Sequence, residues 1–180
     1  MSTVRPRALP ATALEGPTQR LARPTCRSGP PEAALLRPTI RGLLRLGRVN
    51  QMSLAGTEMP WHQKRVDLAV MWDRQTLAVE LKVDNWRRAV EQAYINRWYA
   101  DESWVGLWHA YLTPAAVRAA SDAGVGVLVV TRGTIYPLES PSRPPRPNVG
   151  GDLSETLRAR GVRVRDLLGE VRRRGLPALA

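Results

Sequence analysis

Two runs near the middle of the chain alternate apolar and polar positions with a period of two. Arg65–Trp72 and Thr76–Val83 read as strands, separated by polar Asp73-Arg74-Gln75. If they pair as a hairpin with an even-length loop around Asp73-Arg74, Asp67 faces Glu80. Lys82 then shares a face with Glu80, while Val66, Leu68 and Val70 match Leu77, Val79 and Leu81 on the other. A one-residue bulge would spoil this register. The period changes to 3.6 over Asp84–Ala100, where Trp86, Ala89, Val90, Ala93, Tyr94 and Arg97 fall on one helical face, and Asp84 or Asn85 supplies the N-cap.

Upstream, Pro31–Leu46 reads as a helix with proline and an acid in its first turn, and Pro38 is a point at which it could break in two. Val49–Leu54 fits a short strand and Gly56–Pro60 a turn. Downstream come a strand at Trp104–Ala110, a helix from Thr113-Pro114 to Gly124, a buried strand at Gly126–Thr131, and an edge strand at Ile135–Leu138 with Pro137 in it. The expected architecture is one mixed α/β sheet flanked by helices, spanning 31–139. Residues 1–30 are Arg/Pro-rich without sustained periodicity and read as disordered; 140–151 reads as a Pro/Gly-rich linker, and 152–180 as a basic helical tail.

Composition narrows the class. The net charge of +11 over 180 residues favours a polyanionic partner, nucleic acid first, because cationic side chains neutralise phosphates and release counterions. A lone Cys26 excludes an internal disulfide framework and a Cys-rich zinc site, which fits a cytoplasmic protein. No apolar run is long enough to span a bilayer, so no membrane role is expected. No phosphate-binding Gly-rich loop, dinucleotide fingerprint or His-rich zinc pattern is present.

One cation stands out. Of the 27 basic residues only Lys64 and Lys82 are lysines, and Lys82 sits two residues after Glu80. Arginine is effectively always charged, whereas a lysine amine is a compact charge able to handle a water molecule. Two carboxylates on one spot repel unless a cation lies between them, and a hard divalent ion does this best while keeping positions open for water and a phosphate oxygen. Asp67, Glu80 and Lys82 on one face therefore suggest a metal-dependent hydrolytic centre. The plainer alternative is a solvated cross-strand charge cluster.

Val66-Asp67-Leu68, Ala78-Val79-Glu80-Leu81-Lys82, Trp86-Arg87-Arg88-Ala89 and Gln92-Ala93 together resemble the PD-(D/E)XK nuclease superfamily, in its compact bacterial restriction-endonuclease-like members. The resemblance covers about residues 31–131. It implies that Asp67 and Glu80 bind Mg²⁺ or Mn²⁺ with the Leu81 carbonyl, that Lys82 handles the water, and that Gln92 assists from the following helix. It also implies a glutamate from the first helix, for which Glu32 is best placed and Glu58 next, and products with a 5′-phosphate and a 3′-hydroxyl. Valine stands at 66 where the name-giving proline might, and Asn96 occupies the place of a tyrosine found four residues after the glutamine in the recombination-exonuclease branch.

The expected function is thus a Mg-dependent deoxyribonuclease acting as an endonuclease, with RNA not excluded as substrate. Lys64, Arg65, Arg87 and Arg88 are the candidate nucleic-acid contacts. Arg88, Gln92 and Asn96, one helical turn apart, form a polar row that either borders the scissile phosphate or is an ordinary wet helix edge. His62 is a loop histidine with an ordinary structural reading, and Trp61 or Trp72 could stack on a base. The tail arginines could grip a nucleic-acid backbone or form the solvated side of a helix packed on the core. A two-fold homodimer would suit an enzyme that cuts both strands, although no residue specifies one. The rival from another class is a non-cleaving nucleic-acid-binding module on the same fold.

Overall fold

A computed structural model describes residues 29–61, 64–142 and 153–173. A 3-10 turn, Glu32–Leu35, runs into α1, Leu36–Arg45. Three strands then form a meander: β1 (Leu54–Trp61), β2 (Lys64–Trp72) and β3 (Gln75–Lys82). They are followed by α2 (Trp86–Asn96), β4 (Glu102–Trp108), α3 (Pro114–Asp122), β5 (Gly126–Val130) and β6 (Ile135–Glu139). The chain closes with α4 (Leu153–Arg160), β7 (Val162–Arg163) and α5 (Val164–Arg173). The strands make one seven-stranded mixed sheet in the order β6-β5-β4-β3-β2-β1-β7, parallel at β3-β4-β5 and antiparallel elsewhere.

The β2-β3 turn sets the register that matters most. Asp73 and Arg74 both take positive φ, 43° and 65°, as a tight two-residue turn matched to the twist of its strands requires. Pairing then runs from Trp72↔Gln75 to Leu68↔Val79, and one further step along both strands sets Asp67 opposite Glu80. The even loop expected from the sequence is present and no bulge intervenes.

Helices cover both faces. On one, Leu35, Ile40 and Leu43 from the first helical segment and Val164, Leu167 and Val171 from α5 pack on Leu68, Val79, Leu81, Trp104 and Leu128. On the other, small residues let the helices sit close. Ala89 and Ala93 of α2 and Ala116 and Ala120 of α3 pack on Val105, Leu107 and Val127, while Leu153 and Leu157 of α4 join Ala69 and Ala78. β3 is consequently buried on both sides, and its one acidic residue, Glu80, is buried with it.

Several boundaries differ from those expected. Pro38 does not split the first helix, because the change from 3-10 to α falls at Leu36 and leaves Pro38 in the first turn, where its missing N–H is not needed. Val49–Ser53 is a loop in which the Asn50 side chain accepts from the Met52 and Ser53 amides, and the strand begins at Leu54. Gly56–Pro60, expected as a turn, is the body of β1. Its glycine makes room for the Met59 side chain, and its proline lies next to the strand's end. Within β1, Glu58 takes a positive φ of 50°, and beyond it Met59 and Val66 belong to the cluster under α4. Val66 therefore does not share a core with Leu68 and Val70 as the simple alternation predicted.

The segment expected as a tail is built into the fold as far as it is described. α4 covers β1 and β2, α5 reaches α1, and Val162-Arg163 adds an edge strand beside Leu54-Ala55. Arg158, Arg160, Arg163, Arg165, Arg172 and Arg173 all stand exposed on its outer side. The segments expected as disordered (1–30) and as a linker (140–151) lie largely outside the described residues, as does His62. Among the described residues no helix is long and apolar enough to cross a membrane.

Candidate active site

The site forms where β2 parts from β3. Main-chain pairing of the two strands stops at Leu68↔Val79, while β3 continues beside β4 to Lys82↔Leu107. The Leu81 amide, past the end of the β2-β3 ladder, donates instead to Asp67 Oδ2 at 2.8 Å. A carboxylate so fixed is held by the backbone rather than by a flexible contact. Pairing in parallel with Val105 turns Glu80 toward α2, where it is 1% exposed. Lys82 ends β3 with its side chain 14% exposed, its Nζ 2.6 Å from Glu32 Oε2 and 3.9 Å from Asp67 Oδ2.

Asp67, Glu80 and Lys82, and with them Leu81 and Glu32, are brought together as the sequence suggested, but their connections are more particular. Glu32 engages the lysine, from the 3-10 turn that precedes α1. Glu58 lies to one side, with a long 4.0 Å ion pair to Arg65, and borders the cavities on both flanks of Asp67. Gln92 also lines the cleft, and its Oε1 is buried without a hydrogen-bond partner. Asn96 is the functional candidate that sequence reasoning misplaced. It is 7% exposed, and its Nδ2 donates to Glu80 Oε1 at 2.7 Å. The other oxygen of Glu80, Oε2, is buried and no N–H or O–H group of another described residue reaches it, while the Glu80 and Asp67 carboxyls hydrogen-bond to each other when a proton stands between them.

The electrostatics follow from this geometry. Burial, reinforced by the charge of Asp67, pushes the Glu80 carboxyl up to about 8 despite the Asn96 amide and Lys82. Burial also raises Asp67, partly offset by the Leu81 amide and by Lys82. Burial would lower Lys82, but its hydrogen bond to Glu32 and the charges of Asp67, Glu32 and Glu80 outweigh this and raise it. Without a cation, then, Glu80 holds its proton at neutral pH and Lys82 is charged. A lysine so held is a hydrogen-bond donor and fixed positive charge rather than a ready base.

An open cleft of about 810 Å³ runs past Asp67 and Gln92, walled by Lys64, Arg65, Arg87 and Arg88 together with Glu58, Asn85 and Glu91. All four basic residues singled out from the sequence border it. Asn85 caps α2 by accepting from the Arg88 amide, which brings Arg87 and Arg88 to a first turn that itself holds no acidic residue, with Glu91 one turn further along the same cleft. The helix N-terminus disfavours cations, so this placement costs stability. The Arg87 guanidinium lies 4.5 Å from the centre of the Trp86 ring.

The donor set fits a hard divalent cation in kind: two adjacent carboxyls of raised proton affinity that hydrogen-bond to each other only with a proton between them, and a buried Glu80 oxygen that no N–H or O–H group of another described residue reaches. It is sparse in number, since among the described residues no group of three or more His, Cys, Asp or Glu side chains is gathered as a metal cluster. Such a site would be completed by main-chain oxygen, water and substrate phosphate, the usual balance for Mg²⁺.

No protein-family model and no curated protein matches the chain. Among solved structures it is similar to a protein of unknown function from Silicibacter pomeroyi, at 14% identity over 82% of this chain and 90% of that one, with a TM-score of 0.49.

Proposed function

We propose that the chain is a metal-dependent nuclease of the restriction-endonuclease-like type that hydrolyses DNA phosphodiester bonds. The observation that carries this reading is the meeting of Asp67, Glu80 and Lys82 at one strand parting, where the two carboxyls adjoin and no N–H or O–H group of another described residue reaches the buried Glu80 Oε2. Lys64, Arg65, Arg87 and Arg88 along the cleft that opens on the same aspartate support it.

Asp67 and Glu80 would hold Mg²⁺ or Mn²⁺ with the Leu81 carbonyl, and the ion supplies a polarised phosphodiester and an acidified water when bound. Lys82, kept charged, donates to the attacking water or to a phosphate oxygen and offsets negative charge as it develops there. Glu32 holds the amine in place. Gln92, with an unused carbonyl oxygen, can accept from the same water. Lys64, Arg65, Arg87 and Arg88 hold the flanking phosphates, which positions the strand without reading its sequence.

Plasmid and single-stranded DNA incubated with the protein in Mg²⁺, Mn²⁺ or EDTA test this directly. Metal-dependent cutting is expected from the wild type, with losses of about 10²-fold or more in Glu80→Ala and Lys82→Ala, the scale on which removal of a charge-stabilising group acts. Undiminished cutting by both variants would remove the assignment. Absence of cutting, with salt-sensitive DNA retention that survives loss of Asp67 and Glu80, would replace it with the non-cleaving binding module.

A further inference from the structure

The buried stripe of α2 contains an exception. Ala89, Val90 and Ala93 pack on the sheet, and position 96, seven residues on from Ala89, falls on the same stripe but carries an asparagine. A polar side chain there is costly unless it is hydrogen-bonded, and its partner is Glu80, itself almost fully buried. An apolar pair at these positions would avoid that desolvation cost altogether. The two polar groups are therefore best understood together. Asn96 occupies one oxygen of Glu80, and no N–H or O–H group of another described residue reaches the other, whose carboxyl adjoins that of Asp67.

We infer that Asn96 is the positioning residue of the metal site: its amide ties down Glu80 Oε1 so that Oε2 is presented to the cation. This rests on the metal-binding reading of Asp67 and Glu80. Asn96 touches neither substrate nor metal in this scheme and acts only through the glutamate. Partners of this kind orient a ligand and are worth a measurable part of its affinity. A purely structural asparagine would affect folding without a selective effect on metal binding.

Calorimetric titration of Mn²⁺ into the full chain separates these roles. Wild type, Asn96→Leu, Glu80→Gln and the double variant are compared, with DNA retention in EDTA measured in parallel. The leucine variant is expected to bind Mn²⁺ roughly 10–100-fold more weakly while retaining DNA in EDTA as the wild type does. On the Glu80→Gln background the same change should have no further effect. Asn96→Ala carries the same expectation with a smaller side chain, so an overpacked leucine does not decide the matter. Unchanged Mn²⁺ affinity in a folded Asn96 variant overturns the positioning role and leaves the metal site standing. Equal losses on both backgrounds also overturn it, because the effect then does not pass through Glu80. A wild type that binds no Mn²⁺ removes the metal site and this inference with it.

Discussion

Lys82 is the side chain whose surroundings say most about its work. Its amine is shared between Glu32 at 2.6 Å and Asp67 at 3.9 Å, so Glu32 acts on the lysine first. Glu32→Gln is accordingly expected to lower kcat and leave the half-saturating Mn²⁺ concentration unchanged. Because Glu32 is 46% exposed, the pair is screened, and the loss should be about 1 kcal/mol or less, up to about fivefold in rate. Steady-state kinetics across a Mn²⁺ series checks this, and a rise in the metal requirement would make Glu32 a ligand instead. The acidic pair was legible in the sequence because strand alternation and one even turn place it without further information. Asn96 was not. Arg88, Gln92 and Asn96 look like one polar row, yet each step of four residues winds about 40° around the helix. The row thus runs from exposed Arg88, through half-buried Gln92, to Asn96 against the sheet.

Among the elements, the β2-β3 hairpin does the positioning, and its turn is not built from ideal residues. Asp73 and Arg74 both sit in the left-handed region, which an aspartate tolerates better than an arginine. Arg74→Gly should raise stability by about 1 kcal/mol, since glycine suits the second place of such a turn and nothing in the site depends on the exposed arginine. Denaturant unfolding would show it as a higher midpoint with an unchanged slope, and a loss of stability would mean that Arg74 makes a contact worth more than the strain. The central strands and α2 were readable because their patterns are long. β1 was misread because Gly56 and Pro60 carry the composition of a turn, and only the Met59 side chain lying over Gly56 explains the glycine otherwise. Whether the basic tail packs on the core stayed open in the sequence because Leu153, Leu157, Val164, Leu167 and Val171 are spread thinly among arginines, and their burial depends on sheet faces far away in sequence.

For the molecule as a whole, the buried carboxylates couple folding to pH and to metal. Glu80 titrates near 8 in the folded chain against an ordinary 4.5, so between these values the folded state keeps a proton that the unfolded state has lost. Stability contributed by this group is therefore highest at the acid end and falls as pH rises from about 4.5 to about 8. Asp67 is shifted in the same direction, so its contribution likewise falls as pH rises above its ordinary 3.8. Lys82 is raised from a value already far above neutral, so its contribution is lost only in strong alkali and gives no slope here. In EDTA the wild type should thus unfold at lower denaturant at pH 8 than at pH 5, whereas Glu80→Gln, which needs no proton to be neutral, should show a flatter profile and the greater stability at pH 8. Mn²⁺ should reverse the order, raising the wild-type midpoint more at pH 8 than at pH 5 because the ion competes with protons, and leaving the glutamine variant little changed. Denaturation curves at the two pH values, with and without Mn²⁺, read all of this at once. A wild type whose stability in EDTA is flat or rising over that interval would show that Glu80 ionises freely in the folded chain. The cost of keeping this carboxylate buried would then no longer point to a cation as its intended partner.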